Sequence, residues 1–102
     1  MQSGKSKEAR VELERADRLQ PDMPETLYSL GKAASLEGDS VLAERSWNRL
    51  LAIEKDIALA AQTHFALAAL YRKAGDAAKA KQGMQEYQKL QGKILQTQTP
   101  PK

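Results

Sequence analysis

The strongest constraint on what this chain can fold into is that it repeats itself. Three segments carry a glycine, a small residue five positions on and a large apolar residue four further: Gly4, Ala9 and Leu13, then Gly38, Ala43 and Trp47, then Gly75, Ala80 and Met84. Six positions beyond each large residue stands another apolar one, Leu19, Ile53 and Leu90, and the three glycines are 34 and 37 residues apart. A period of this length marks units that are each too small to bury their own apolar side and must lean on a neighbour.

Aspartates keep the same rhythm. Asp22, Asp39, Asp56 and Asp76 follow one another at 17, 17 and 20 residues, and Asp is a favoured N-cap because its carboxylate accepts from the free amides of a first helical turn. Asp22 has Glu25 three residues on, a capping-box spacing, with Pro24 tolerated in the first turn. Between these starts the apolar residues recur at helical intervals: Leu27, Leu30 and Ala34; Leu42, Ala43, Trp47 and Leu50; Ile57, Ala61, His64, Leu67, Ala68 and Tyr71. No stretch alternates like a strand. The pattern predicts an all-α chain of five helices, near 5–20, 24–37, 40–54, 57–74 and 77–95, arranged as a helical-repeat solenoid of antiparallel pairs, with a disordered tail over 97–102.

Composition narrows the function. Cysteine is absent and there is one histidine, which removes thiolate metal sites and histidine clusters; no cofactor or metal is expected. No apolar run approaches the ~20 residues of a membrane span and no leader-like segment follows the first charges; the sequence leaves the compartment unknown, a cytoplasmic setting being only weakly favoured, since a fragment can have lost its targeting segment. The net charge of +3 is uneven, with seven Lys or Arg against two acids over residues 71–102. Those cations are spread through one helical pattern rather than gathered around stacking aromatics, so nucleic acid is a disfavoured partner. Gly4-Lys5-Ser6 looks like the end of a phosphate-binding loop, but such a loop needs a further glycine about five residues ahead and a buried strand before it, and only three residues precede Gly4. Gly4 is instead expected at the turn inside a repeat unit, the place Gly38 and Gly75 hold in theirs.

A helix-turn-helix unit of this length with Leu30-Gly31 in its first helix, Gly38 at its turn and Ala43 and Trp47 in its second resembles the tetratricopeptide repeat. Gly4, Ala9, Leu13, Ala16 and Pro21 resemble the second half of a preceding unit, and Leu67, Ala68, Tyr71, Gly75 and Ala80 resemble a following one. The resemblance divides residues 1–96 into a half-repeat at 4–22 and repeats at 23–56 and 57–92, and it implies that the first helix of the leading unit is missing, as in a fragment of a longer array. Lys55 and Gly92 depart from the pattern where the family often has proline. Leu50 and Tyr87 depart from it where a small residue is usual. Gly31, Ala43, Ala68 and Ala80 are expected at close helix crossings, with Leu13, Trp47 and Met84 filling the space beside them.

Functionally, the resemblance implies a non-catalytic scaffold that binds a peptide or helix along a concave surface lined by the first helix of each unit. Carried onto this chain, the binding residues are Tyr28, Lys32, Phe65, Ala69, Arg72 and Lys73, and two aromatics among cations imply a protein partner that is acidic and partly apolar. Tyr28, Ser29, Lys32 and Ala66 lack the multi-lysine, two-amide arrangement by which some relatives hold a C-terminal carboxylate. No serine, histidine or carboxylate spacing suggests an enzyme, and His64, between Ala61 and Leu67, reads as a hydrogen-bonded core residue. The alternative is a structural module that homo-oligomerises through its terminal helices. On the last helix Met84, Tyr87, Leu90, Ile94 and Leu95 form an apolar stripe bordered by Lys79, Lys81, Lys89 and Lys93, and a membrane surface is a less favoured occupant for it.

Overall fold

The structure, a computed structural model, describes residues 2–98, with side chains described over 5–96. Among these residues every element is a helix: α1 (Gln2–Leu19), α2 (Pro24–Glu37), α3 (Ser40–Ile53), α4 (Ile57–Lys73) and α5 (Ala77–Gln98). The all-α expectation holds, and the predicted bounds fall within three residues of the observed ones. The tail expected at 97–102 overlaps α5 at its first two residues, and the remainder lies outside the described residues. The chain divides into two compact units, one of α1 to α3 and one of α4 and α5. Within the first, α1 packs on α2 and α2 on α3; within the second, α4 packs on α5.

Two Gly-Asp dipeptides make the tightest reversals, and both work in the same way. Gly38 has φ +87° and Gly75 φ +85°, the left-handed conformation that ends a helix at little cost only for glycine. Gly38 N–H donates to Ser35 O and Asp39 N–H to Ala34 O, while Gly75 N–H donates to Arg72 O and Asp76 N–H to Tyr71 O. The aspartate then caps the next helix. Asp39 Oδ1 accepts from Leu42 N–H at 3.1 Å, and Asp76 Oδ1 accepts from Lys79 N–H at 3.1 Å. One dipeptide thus stops one helix and starts the next, so the two helices double back on each other. Asp56 caps α4 as expected, accepting from Ala58 N–H at 2.9 Å.

Two of the expected turn roles are corrected. Asp22 is not the cap of α2: Met23 is, with extended backbone (φ −78°, ψ 122°) and no side-chain cap bond. Pro24 forces the residue before it out of helical geometry, and a cap position requires that extended backbone, so the role passes to Met23. Asp22 instead takes φ +61°, donates its N–H to Asp17 Oδ1 at 3.1 Å and accepts from Arg49 Nη2 at 2.7 Å. Gly4 lies inside α1, which runs without a break from Gln2 to Leu19, so it makes no turn.

The first unit is locked by an indole over a glycine. Trp47 of α3 is 3% exposed, and its Nε1 donates to Tyr28 O of α2 at 3.1 Å. A Cβ on Gly31 would stand 2.2 Å from that same nitrogen. Leu27, Leu30, Ala34, Ala43 and Leu50 are buried in the same unit. Arg49 ties α3 to the end of α1 through a two-pronged pair with Asp17, at 2.8 and 3.0 Å, which adds direction as well as attraction. Arg10 of α1 similarly pairs with Glu37 of α2 and with Glu14. In the second unit Ala61, Thr63, Leu67, Ala68 and Ala80 are buried; α4 and α5 come close at Gly83, where an added Cβ would lie 3.1 Å from Ala68 Cβ, and Met84 is half-buried.

Candidate functional site

The six residues expected to line one binding surface fall on two units, Tyr28 and Lys32 on α2 of the first and Phe65, Ala69, Arg72 and Lys73 on α4 of the second. Each set has its own local geometry. On α2, Tyr28 and Lys32 are one helical turn apart, so the side chains meet. Lys32 Nζ stands 5.9 Å from the Tyr28 ring centroid, within range of a cation–π attraction. Tyr28 is half-buried because the Trp47 ring lies against it, centroid to centroid 6.5 Å. Part of the tyrosine is therefore wall and part is accessible surface, with an exposed ammonium beside it.

On α4, Phe65, Ala69 and Arg72 follow at four and three residues, which places them along one face, and Lys73 adjoins it. Phe65 is 49% exposed although Tyr87 of α5 meets it edge to face at 5.0 Å. Ala69, Arg72 and Lys73 are exposed. The two cations occupy the last turn of α4, where the carbonyl end of the helix dipole favours positive charge. This face offers a half-covered ring, a low small residue and a cationic end in sequence.

The electrostatics elsewhere serve structure. The Arg49 guanidinium holds the Asp17 carboxyl below the usual carboxylate range, aided by the Asp22 amide, and burial opposes it. Arg10 and Arg49 are held more firmly protonated than usual by their carboxylate partners. Burial pushes the half-buried His64 imidazole below its ordinary value, and the nearby Glu86 opposes that shift. Among the described residues no group of three or more His, Asp or Glu side chains gathers as a metal site, and no described helix is long and apolar enough to cross a membrane. On α5, Met84, Tyr87, Leu90 and Ile94 are half-buried, so the exposed part of the expected stripe shrinks to Leu95, 64% exposed.

The ring contacts carry a signal that periodicity within single helices missed. Phe65 lies ten residues before Gly75 and Tyr87 twelve after it, while Tyr28 lies ten before Gly38 and Trp47 nine after. In a hairpin folded at that glycine, near-equal distances from the turn come to the same height. Comparison of the chain with family models, curated proteins and solved structures returned no significant match.

Proposed function

We propose that the chain is a non-catalytic protein-interaction module, built from tetratricopeptide-like helical hairpins, that binds an acidic, partly apolar peptide or helix. The observation that carries this reading is the pairing of a partly exposed aromatic ring with exposed cations on the first helix of each hairpin: Tyr28 with Lys32 on α2, and Phe65 with Arg72 and Lys73 on α4. Aromatic rings supply large contact area at small loss of side-chain freedom, and arginine beside them recognises carboxylates with direction. Such surfaces are where binding energy concentrates in protein interfaces. The partner implied is a polypeptide rather than a small molecule, because each face is an open helix surface with a ring and a cation a turn or two apart.

The test is selection from a displayed random-peptide library on the purified chain, repeated with a variant carrying Tyr28→Ala, Lys32→Glu, Phe65→Ala and Arg72→Glu. The wild type is expected to enrich peptides that combine Asp or Glu with large apolar residues, and the variant, with unchanged helical circular dichroism, is expected to lose them. Recovery of the same peptides by the folded variant, or enrichment of basic peptides by the wild type, refutes the reading.

A further inference from the structure

Between α1 and α2 lies an open cleft of about 320 Å³. Ser6, Ala9 and Leu13 of α1 form one wall, and Ser29, Ala33 and Leu36 of α2 form the other. Leu36 is 63% exposed and Ala9 is exposed, so apolar surface faces solvent along both walls. Among the described residues the charged groups that border the cleft are Lys5 and Lys32, both exposed, and no carboxylate lines it. We propose that this cleft docks an amphipathic α-helix of another protein, apolar on the face that enters and acidic on the flanks that meet Lys5 and Lys32.

Three features of the site select that occupant. Both walls are helices whose backbone amides and carbonyls are engaged along their length, so the cleft offers an entering extended strand nothing to satisfy its backbone, whereas a helix brings its backbone already bonded. The small residues Ser6, Ala9, Ser29 and Ala33 keep the floor low, which permits a third helix axis at the ordinary packing distance of about 8–10 Å. The walls run from Lys5 to Leu13 and from Ser29 to Leu36, each about 12 Å of helix, enough to seat two turns of a partner. Charge then separates a partner from a second copy. The chain's own last helix, α5, carries Lys79, Lys81, Lys89 and Lys93 beside its apolar residues, and would bring like charges to Lys5 and Lys32. The inference rests on the interaction-module reading, narrows it to a site of its own beside α2, and does not use α4.

The probes are three labelled synthetic peptides of about 18 residues: one with Leu and Ala on one helical face and Glu on its flanks, one with Lys in place of Glu, and one of the first composition interrupted by two prolines. Fluorescence anisotropy is read against the wild-type chain, against Lys5→Glu/Lys32→Glu, and against Phe65→Ala/Arg72→Glu. The Glu peptide is expected to bind the wild type about tenfold tighter than the Lys peptide, with the preference inverted by the paired lysine reversal. The proline-interrupted peptide should bind at least tenfold more weakly, and the Glu-over-Lys preference should persist in the α4 variant, which removes the α4 face as a second seat for an acidic peptide. Equal affinities for the Glu and Lys peptides, or no inversion in the reversed variant, overturns the charge assignment. Equal binding of the interrupted peptide overturns the helical occupant. Concentration-dependent self-association that the Glu peptide cannot displace assigns the cleft to a second copy and overturns the partner. Loss of library selection in the α4 variant with intact Glu-peptide binding bears on the α4 face alone, and failure at the cleft with intact library selection bears on the cleft alone.

Discussion

Replacing Gly31 by alanine pits two effects of opposite sign against each other, and the structure decides between them. Gly31 is in the body of α2, where alanine is worth about 1 kcal/mol more than glycine as a helix former. The new methyl would lie 2.2, 2.4 and 2.5 Å from Trp47 Nε1, Cε2 and Cδ1, whereas carbon contacts relax near about 3.5–4.0 Å. The indole must therefore retreat by roughly 1 Å in an interior packed to crystal density. Overpacking of this kind costs about 1–3 kcal/mol, and losing the 3.1 Å bond to Tyr28 O costs about 1 kcal/mol more. The expected net effect is a destabilisation of about 1–3 kcal/mol. Urea unfolding can be followed by the fluorescence of Trp47, the only tryptophan, which should also shift to the red as the ring loses cover. Gly92→Ala is the control: it is exposed and its Cβ would meet nothing within 4 Å, so it should gain about 0.5–1 kcal/mol. In a Trp47→Leu background, followed by circular dichroism, the Gly31→Ala penalty should largely vanish, a coupling of about 1 kcal/mol or more. A Gly31→Ala chain as stable as Gly92→Ala would refute the indole-over-glycine lock.

Gly38→Ala and Gly75→Ala place a side chain at φ +87° and +85° and should each lower stability by about 1–2 kcal/mol in thermal or urea melts, with Gly38→Asn costing less. Asp39→Ala and Asp76→Ala should each cost about 1 kcal/mol through the lost cap, whereas Glu25→Ala should stay within about 0.5 kcal/mol, since α2 has no side-chain cap for a capping box to complete. Arg49 lowers the folded-state value of Asp17, so its stabilisation is complete above the ordinary carboxylate value of about 3.9 and is lost as pH falls through the lower folded value. Urea midpoints taken from pH 7 down to pH 3 should therefore fall less steeply for Asp17→Asn than for the wild type, the two curves converging at the acid end.

Much of the fold was legible because the sequence states each reversal twice. Gly38-Asp39 and Gly75-Asp76 combine a residue that ends a helix with one that begins the next, so helix bounds could be read on both sides. Asp22 misled because residue type was weighed without its neighbour: the proline two positions on fixes Met23, not Asp22, in the extended conformation that a cap needs. Arg49 was not legible as a clasp. Its partners Asp17 and Asp22 lie 32 and 27 residues away, and in a chain this rich in charge nothing local singles out that pairing. At the candidate site, the resemblance supplied Phe65, Ala69 and Arg72, which follow one another on α4 at four and three residues, but it could not say how far Trp47 and Tyr87 would cover the rings. That depends on two helices at once, and the distance of each ring from its hairpin glycine is where the signal lay.

The repeated pattern hides a difference in how the two hairpins close, and Gly83 tests it. The first hairpin places a small residue, Gly31, under a bulky one, Trp47. The second has Ala68 in the corresponding place, with Met84 where the indole would be. Met84 is only half-buried, and the gap is closed by backbone instead: a Cβ on Gly83 would lie 3.1 Å from Ala68 Cβ, 3.3 Å from His64 O and 3.4 Å from Ala68 Cα. These distances are tight rather than impossible, so a shift of α5 by a few tenths of an ångström accommodates a methyl. The overpacking cost then sits at the low end, about 1 kcal/mol, against a helix-propensity gain of similar size. Gly83→Ala should thus leave the melting midpoint within about 4–8 °C of the wild type, well above the midpoint of Gly31→Ala. Adding Ala68→Gly restores the space, so Gly83→Ala should be clearly more favourable in that background than alone. If Gly83→Ala is as damaging as Gly31→Ala, or if its effect is the same with and without Ala68→Gly, then α4 and α5 do not meet backbone to backbone at this point.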